Sequence, residues 1–323
     1  MPKEKVVYQH TASWIRRSWH KILYLVILAG FFLWYPGQNI LTLARQSVAA
    51  PQRKIDYPAP TPAPYPMNTS GIYPGSEVSA SGIVIRDVDS GVYLYKRNEE
   101  ELFAPASTTK ILTALVALDR YKLDDVVTVK TLVNAGATMK LVPGERMTVE
   151  NLLYGTLIQS GNDAAYVLAE NYPGGVEAFV SAMNLKAASL HLVHSHFVNP
   201  VGYDDPDHKM TPTDLAILAS YALTNTTIAK IVAIPQITIS DVTHTYFHPL
   251  TNVNQLLGKV PGVGGIKTGW TEEAGENLVT LVEREGHRVI LVVLHSRDRF
   301  SDTTRLIDWI FSNYTWEIIA PKD

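Results

Sequence analysis

The run from Ile22 to Ala44 contains no charged residue, and its densest part, Ile22 to Tyr35, is almost wholly apolar. A segment of that length is long enough to cross a bilayer, so whatever folds must be built on one side of it. Pro36-Gly37 and Gln38-Asn39 weaken the second half. Arg16, Arg17 and Lys21 precede the run and Trp34-Tyr35 close its apolar part, which orients the N-terminus to the cytoplasm and the remainder outside. Two fates are open for the segment. One is a cleaved signal peptide with Val48-Ala49-Ala50 as a small-residue processing site, giving a secreted protein. The other is an uncleaved signal-anchor, which the long polar N-terminal region favours. Proline then recurs at alternate positions between 51 and 76, which favours extended polyproline conformation and reads as a stiff spacer. The expected layout is a cytoplasmic segment over 1–21, a transmembrane signal-anchor over 22–44, a Pro-rich linker over 45–77 and a folded domain over 78–323.

The chain has 323 residues, enough for one large domain or two modest ones. Its 28 basic and 31 acidic residues nearly balance, so no charge excess points to nucleic acid. The absence of cysteine excludes disulfides, a thiol nucleophile and cysteine-ligated metals. His191, His194 and His196 cluster in sequence, but no carboxylate follows at ligand spacing, and His194 and His196 alternate faces in an extended segment. No metal site and no cofactor are assigned.

Within the domain, Ser81 to Asp87 and Gly91 to Lys96 are β-rich runs around Asp89-Ser90-Gly91 and read as a hairpin. Pro105 suits the entry of a helix, and Ile111 to Val116 after it is apolar on nearly every side, so a buried helix is expected there. Ser107 and Lys110, three apart, share a face of that helix. Burial and the positive end of the helix dipole both lower a lysine pKa, as a lysine general base requires. The same spacing also suits a helix cap with a solvated lysine, and it recurs in Ser18-Trp19-His20-Lys21. Val126 to Val133 reads as a strand or extended stretch, and Gly136 to Gly144 as a loop. Thr148-Val149-Glu150 begins a helix that Ser160-Gly161-Asn162-Asp163 interrupts. Such a break presents polar side chains to a cleft or is a plain helix–helix turn. Gly175 to Leu190 and Leu215 to Leu223 are helical, the second capped from Thr211 to Asp214. Asn277 to Val282 and Arg288 to Leu294 form a second hairpin around Glu285-Gly286. The Lys267-Thr268-Gly269 stretch is then an edge strand, with Lys267 and Gly269 on one face. A lysine there either guards the edge or binds an extended peptide and its carboxylate, with Gly269 leaving room for the peptide backbone. Leu306 to Phe311 closes the chain as a helix.

Ser-x-x-Lys, Ser-x-Asn and Lys-Thr-Gly thus occur in order at 107, 160 and 267. Together they resemble the signatures of the penicilloyl serine transferases. Further blocks extend the resemblance over about residues 78 to 315. These are Pro105 to Lys110, Leu157 to Ala165, Asn199-Pro200-Val201-Gly202, Asn252-Val253-Asn254 and Gly265 to Gly275. Within that group the chain is similar to the D-alanyl-D-alanine carboxypeptidases of the low-molecular-mass penicillin-binding proteins.

The resemblance implies an α/β (α+β) fold of the β-lactamase/transpeptidase type. An antiparallel sheet is flanked by helices and joined to a mainly helical lobe, with Ser107 at the floor of the cleft between them. It implies Ser107 as the acylated nucleophile, Lys110 as its base and Ser160 as the proton relay. Asn162 would hold Lys110 and the substrate amide, Lys267 and Thr268 the terminal carboxylate, and the backbone N–H groups of Ser107 and Trp270 the oxyanion. The implied partners are peptidoglycan stem peptides ending in D-Ala-D-Ala, and β-lactams as covalent inhibitors. The alternatives are a β-lactamase or D,D-endopeptidase of the same superfamily, or a non-catalytic cell-wall binding module. Trp270 stands where many members have histidine. Many members also carry a C-terminal β-rich domain and an amphipathic anchoring helix. Neither is expected before Asp323, so the N-terminal segment would be the anchor.

Overall fold

The computed structural model describes residues 10–34, 63–131 and 133–318. The chain divides into two units, Met1–Pro60 and Thr61–Asp323. The first contains α1 (His10–Trp34). The apolar part of α1 is Trp19–Trp34, and among the described residues no single helix is long and apolar enough to cross a membrane. The second half of the uncharged run, the Val48-Ala49-Ala50 site and residues 51–62 of the spacer lie outside the described residues.

The second unit begins with β1 (Tyr65–Asn68), β2 (Gly82–Asp87), β3 (Tyr93–Arg97), a 3₁₀ turn (Ala106–Thr109) and α2 (Lys110–Arg120). Next come β4 (Val126–Thr128), β5 (Arg146–Thr148), α3 (Val149–Leu157), α4 (Asn162–Glu170) and α5 (Gly175–Ser189). They are followed by α6 (Pro212–Ala222), α7 (Thr226–Val232), β6 (Gln236–Ser240) and β7 (Phe247–Thr251). The unit ends with β8 (Val263–Thr271), β9 (Gly275–Arg284), β10 (His287–Ser296), α8 (Arg299–Asn313) and β11 (Tyr314–Glu317).

Five strands form one antiparallel sheet in the order β3-β2-β10-β9-β8. Both expected hairpins are present. The β9–β10 turn is Glu285-Gly286, both at positive φ, as a two-residue hairpin turn whose twist matches its strands requires. In the β2–β3 turn the Asp87 carboxylate accepts the Ser90 N–H at 2.7 Å. Successive side chains of a strand face opposite ways, and here both faces are covered. Val289, Leu291 and Val293 pack with Leu306, Ile307 and Ile310 of α8, while Ile290, Val292 and Leu294 join the core of the helical lobe. The central strands are therefore continuously apolar, not alternating. In the lobe, every residue of α2 from Lys110 to Ala117 is buried, which accounts for a helix apolar on nearly all sides.

Within the Val126 to Val133 stretch, the strand among the described residues is the short β4, paired with β5. Two elements differ from expectation. Tyr65–Asn68, inside the expected linker, pairs with Tyr314–Glu317. The last helix starts at Arg299, well before Leu306, because a polar first turn hides it from an apolar-period reading. Asp298 caps it by accepting the Ser301 N–H at 3.0 Å.

The first turns of α8 are fixed by Asp302, which is buried. Its carboxylate accepts the N–H groups of Ser79 and Ala80, both at 3.0 Å, and the hydroxyls of Ser79 at 2.7 Å and Ser296 at 2.6 Å. Removing it strands four buried or half-buried donors. Asp302→Ala is expected to lower the unfolding free energy by about 3 kcal/mol, measured by urea denaturation of the folded unit.

Candidate active site

Pro105 leads into the 3₁₀ turn that carries Ser107, and α2 proper starts at Lys110. Ala106 sits at φ 49° and Gly202 at φ 84°. The two are packed so closely that a Cβ on Gly202 would lie 1.8 Å from the Ala106 carbonyl oxygen. Residues three apart eclipse in a 3₁₀ turn. Lys110 Nζ and Ser107 Oγ are accordingly 2.7 Å apart.

Lys110 is fully buried. Its Nζ also donates to the Val201 carbonyl at 3.0 Å. That carbonyl is aimed by the Asn199 side chain, whose Oδ1 accepts the N–H groups of Val201, Gly202 and Tyr203. Thr113 Oγ1 donates to Pro200 O at 2.6 Å and ties the same turn to α2. Burial and, after it, the nearby Lys267 charge push the Lys110 pKa well below the ordinary lysine value, while Asp163 pulls the other way. The dominant cause is thus the burial expected from sequence, and the charge that reinforces it belongs to a second lysine.

Ser160 occupies the break between α3 and α4 at φ 62° and is buried at the cleft. Asn162 opens α4. Its backbone N–H donates to Ala137 O at 2.7 Å and its Nδ2 to Ala135 O at 2.8 Å. The Asn162 Oδ1 is buried without a partner among the described residues. The expected Asn162–Lys110 hydrogen bond is not among the contacts of the described residues: Lys110 Nζ is held by Ser107 and Val201, and Asn162 Oδ1 is left free to face the cleft. Neighbouring Asp163 binds the loop that holds the Asn162 amide, accepting Met139 N and Leu141 N at 3.0 Å each.

The third motif lies on β8, an edge of the main sheet, as expected. Lys267 is 2% exposed and its Nζ donates to Thr268 O at 3.0 Å. Burial, then the Arg299 charge, lowers its pKa to about 7. Gly269 is required by a closer neighbour than a ligand. A Cβ there would lie 2.9 Å from Pro105 O and 3.1 Å from Ser107 N, so the missing side chain lets β8 lie against the Ser107 turn. Trp270, next along the strand, is 63% exposed.

Ser107, Ser160, Asn162, Thr268, Gly269 and Trp270 all line one cleft of about 460 Å³, and Lys110 and Lys267 are buried behind its surface. Among the lining residues that sequence reasoning did not name are Arg299 and Tyr203. Arg299 Nη1 donates to Gly269 O at 2.7 Å, while its Nε is buried without a partner among the described residues. The sequence offered no signal for it, because the helix it opens is legible only from Leu306 onward. The Tyr203 hydroxyl donates to Ala135 O at 3.1 Å. The histidine cluster lies elsewhere: His196 Nδ1 is 2.8 Å from Asp207 O, and His194 Nδ1 is 3.4 Å from Glu100 Oε2.

A sequence model of the D-alanyl-D-alanine carboxypeptidases matches residues 68–298. The chain is 37% identical over 245 residues to the D-alanyl-D-alanine carboxypeptidase DacF of Bacillus subtilis, a match covering 73% of this chain and 63% of that relative. It is 33% identical over 254 residues to DacB2 of Mycobacterium tuberculosis, covering 75% of this chain and 86% of that one. A D-alanyl-D-alanine endopeptidase of Pseudomonas aeruginosa is 32% identical over 253 residues, covering 76% of this chain and 81% of that one. The crystal structure of the Streptomyces K15 DD-transpeptidase superposes with a TM-score of 0.70 at 33% identity, covering 75% of this chain and 99% of that one. The three-motif cleft, the antiparallel sheet with helices on both faces and these matches agree: the chain belongs to the D-alanyl-D-alanine carboxypeptidase family.

Proposed function

We propose that the chain is a serine D-Ala-D-Ala carboxypeptidase that removes the terminal D-alanine of peptidoglycan stem peptides through a Ser107 acyl-enzyme. The observation that carries this reading is the 2.7 Å approach of Ser107 Oγ to the buried Lys110 Nζ. A lysine whose pKa is pushed well below its ordinary value by burial gives up its proton more readily, and the lone pair of the neutral amine accepts the Ser107 hydroxyl proton. Ser107 Oγ attacks the carbonyl carbon of the D-Ala-D-Ala amide. The backbone N–H groups of Ser107 and Trp270 hold the oxyanion. The C–N bond then breaks, Ser160 passes a proton to the leaving amine, and D-alanine departs. Water cleaves the remaining ester with Lys110 again as base. Lys267, Thr268 and Arg299 bind the substrate carboxylate, and the unpartnered Asn162 Oδ1 accepts a substrate amide N–H. A β-lactam acylates Ser107 by the same attack, but its leaving amine stays tethered. The catalytic unit works outside the cytoplasm, with the segment over 22–44 as its membrane tether. Because one relative is named an endopeptidase, crosslinked stem peptides are the second substrate to assay.

Incubation with a peptide ending in D-alanyl-D-alanine is expected to release D-alanine. Ser107→Ala should lower the rate by about a thousandfold or more and abolish covalent labelling by a fluorescent penicillin. A folded protein that neither releases D-alanine nor takes the label would overturn the reading. Rapid turnover of the penicillin would instead mark a β-lactamase.

The two lysines set opposite limbs of the pH profile. Lys110 must be neutral, so kcat/KM falls on the acid side as it gains a proton. Lys267 must be charged to hold the carboxylate, so kcat/KM falls on the alkaline side as it loses one, with its midpoint near its free-enzyme value of about 7. A bound carboxylate stabilises the Lys267 charge, so the alkaline limb of kcat should lie at higher pH than that of kcat/KM. Steady-state D-alanine release across the pH range checks both limbs.

A further inference from the structure

The wall of the cleft facing Asn162 is the loop over 135–141, and backbone groups make its contacts. Its front is fixed by Asn162 and Asp163, through the carbonyls of Ala135 and Ala137 and the N–H groups of Met139 and Leu141. At the back the Met139 carbonyl meets His248 on β7, a residue outside all three motifs. His248 Nδ1 lies 2.9 Å from Met139 O, and its Nε2 lies 2.8 Å from Glu145 Oε1. The side chains of His248 and Glu145 are 6% and 0% exposed. The other oxygen of Glu145 accepts the Val142 N–H, closing the loop on itself.

The proton count follows from the partners. A carbonyl only accepts, so His248 Nδ1 carries a proton. A second proton lies between Nε2 and Glu145, and the pair as a whole is neutral whichever atom holds it. Burying two ionisable groups away from water is costly, and removing one partner strands the other. Met139 also packs directly on Gly155, where a Cβ would lie 2.3 Å from its Sδ.

We propose that His248 and Glu145 are a positioning pair: they lock the back of the 135–141 loop, and through it the orientation of Asn162 and the Ser160-Gly161 break. Neither side chain lines the cleft. The pair acts on catalysis only through the loop. Its kinetic consequence rests on the carboxypeptidase reading, while its effect on the loop does not.

The test uses the full chain with Glu145→Gln, His248→Gln and the double variant, in which two amides can bond to each other and to Met139 O without charge. Each single variant is expected to lower kcat for D-alanine release tenfold or more with KM within threefold. Each is also expected to speed hydrogen–deuterium exchange of 139–141 and 160–163, and the double variant to recover much of both. Stoichiometric penicillin labelling should persist, because Ser107 is untouched. A lower melting temperature with wild-type kcat and wild-type exchange in the loop would overturn the proposal, as would a double variant no better than either single. If even the wild type released no D-alanine and bound no penicillin, the carboxypeptidase reading would fall, and the exchange of 139–141 would still decide the role of the pair.

Discussion

Lys110 is buried with no carboxylate in ion-pair contact among the described residues, and the site depends on that isolation. Holding an ammonium there would cost several kcal/mol, so the fold favours the neutral amine. The neutral amine is also the form that can take a proton from Ser107. One physical fact therefore serves both stability and chemistry. The surrounding elements maintain it. α2 is buried from Lys110 to Ala117, the Val201 carbonyl orients the amine without charging it, and Lys267 adds repulsion from the sheet side. A carboxylate in place of the Val201 carbonyl would stabilise the ammonium and, on the proposed mechanism, remove the base.

The sheet contributes a lysine in a contrasting setting. Lys267, its pKa lowered to about 7 by burial and then by Arg299, lies behind the wall of the cleft that Thr268 and Gly269 line. Its charge is opposed by burial and by Arg299. On the proposed mechanism the two buried lysines divide the work through their surroundings: one is kept neutral by enclosure, the other is left short of a counter-ion at the edge of a sheet. The edge matters, because β8 has one side free of main-sheet partners and lies against the Ser107 turn only through the missing side chain of Gly269.

What could be read from sequence was what is local. The Ser107–Lys110 spacing, both hairpins, the buried helix after Pro105 and the break at Ser160 depend on residues a few positions apart, where pattern and conformation are tightly coupled. What could not be read is how distant segments meet. The carbonyl that orients Lys110 is 91 residues away, and the one that takes the Asn162 amide is 27 residues away. A backbone carbonyl has no residue signature, so no motif could have named either. Arg299 was hidden for a related reason: its helix opens with polar residues, and its contact with β8 is tertiary. The β1–β11 pair joins two short strands near opposite ends of the folded unit, and proline in β1 argued against a strand there.

Both serines of the site sit in segments that local preference would not choose. Ala106, just before Ser107, and Ser160 itself lie in the left-handed region, which costs a residue with a side chain about 1 kcal/mol or more. Distant contacts impose each conformation. Gly202 fits against Ala106 where no Cβ could, and the loop at 135–141 grips Asn162 and Asp163 immediately after the Ser160 break. The strain is thus set against long-range packing and not against its own sequence neighbours. The hydroxyls can be held at angles that a regular helix would not give, but only while the remote loops stay in place. The conformation of such a site rests in part on contacts between distant segments: the turn at Asn199 that carries Gly202, and the side chains of Asn162 and Asp163 that grip the 135–141 loop.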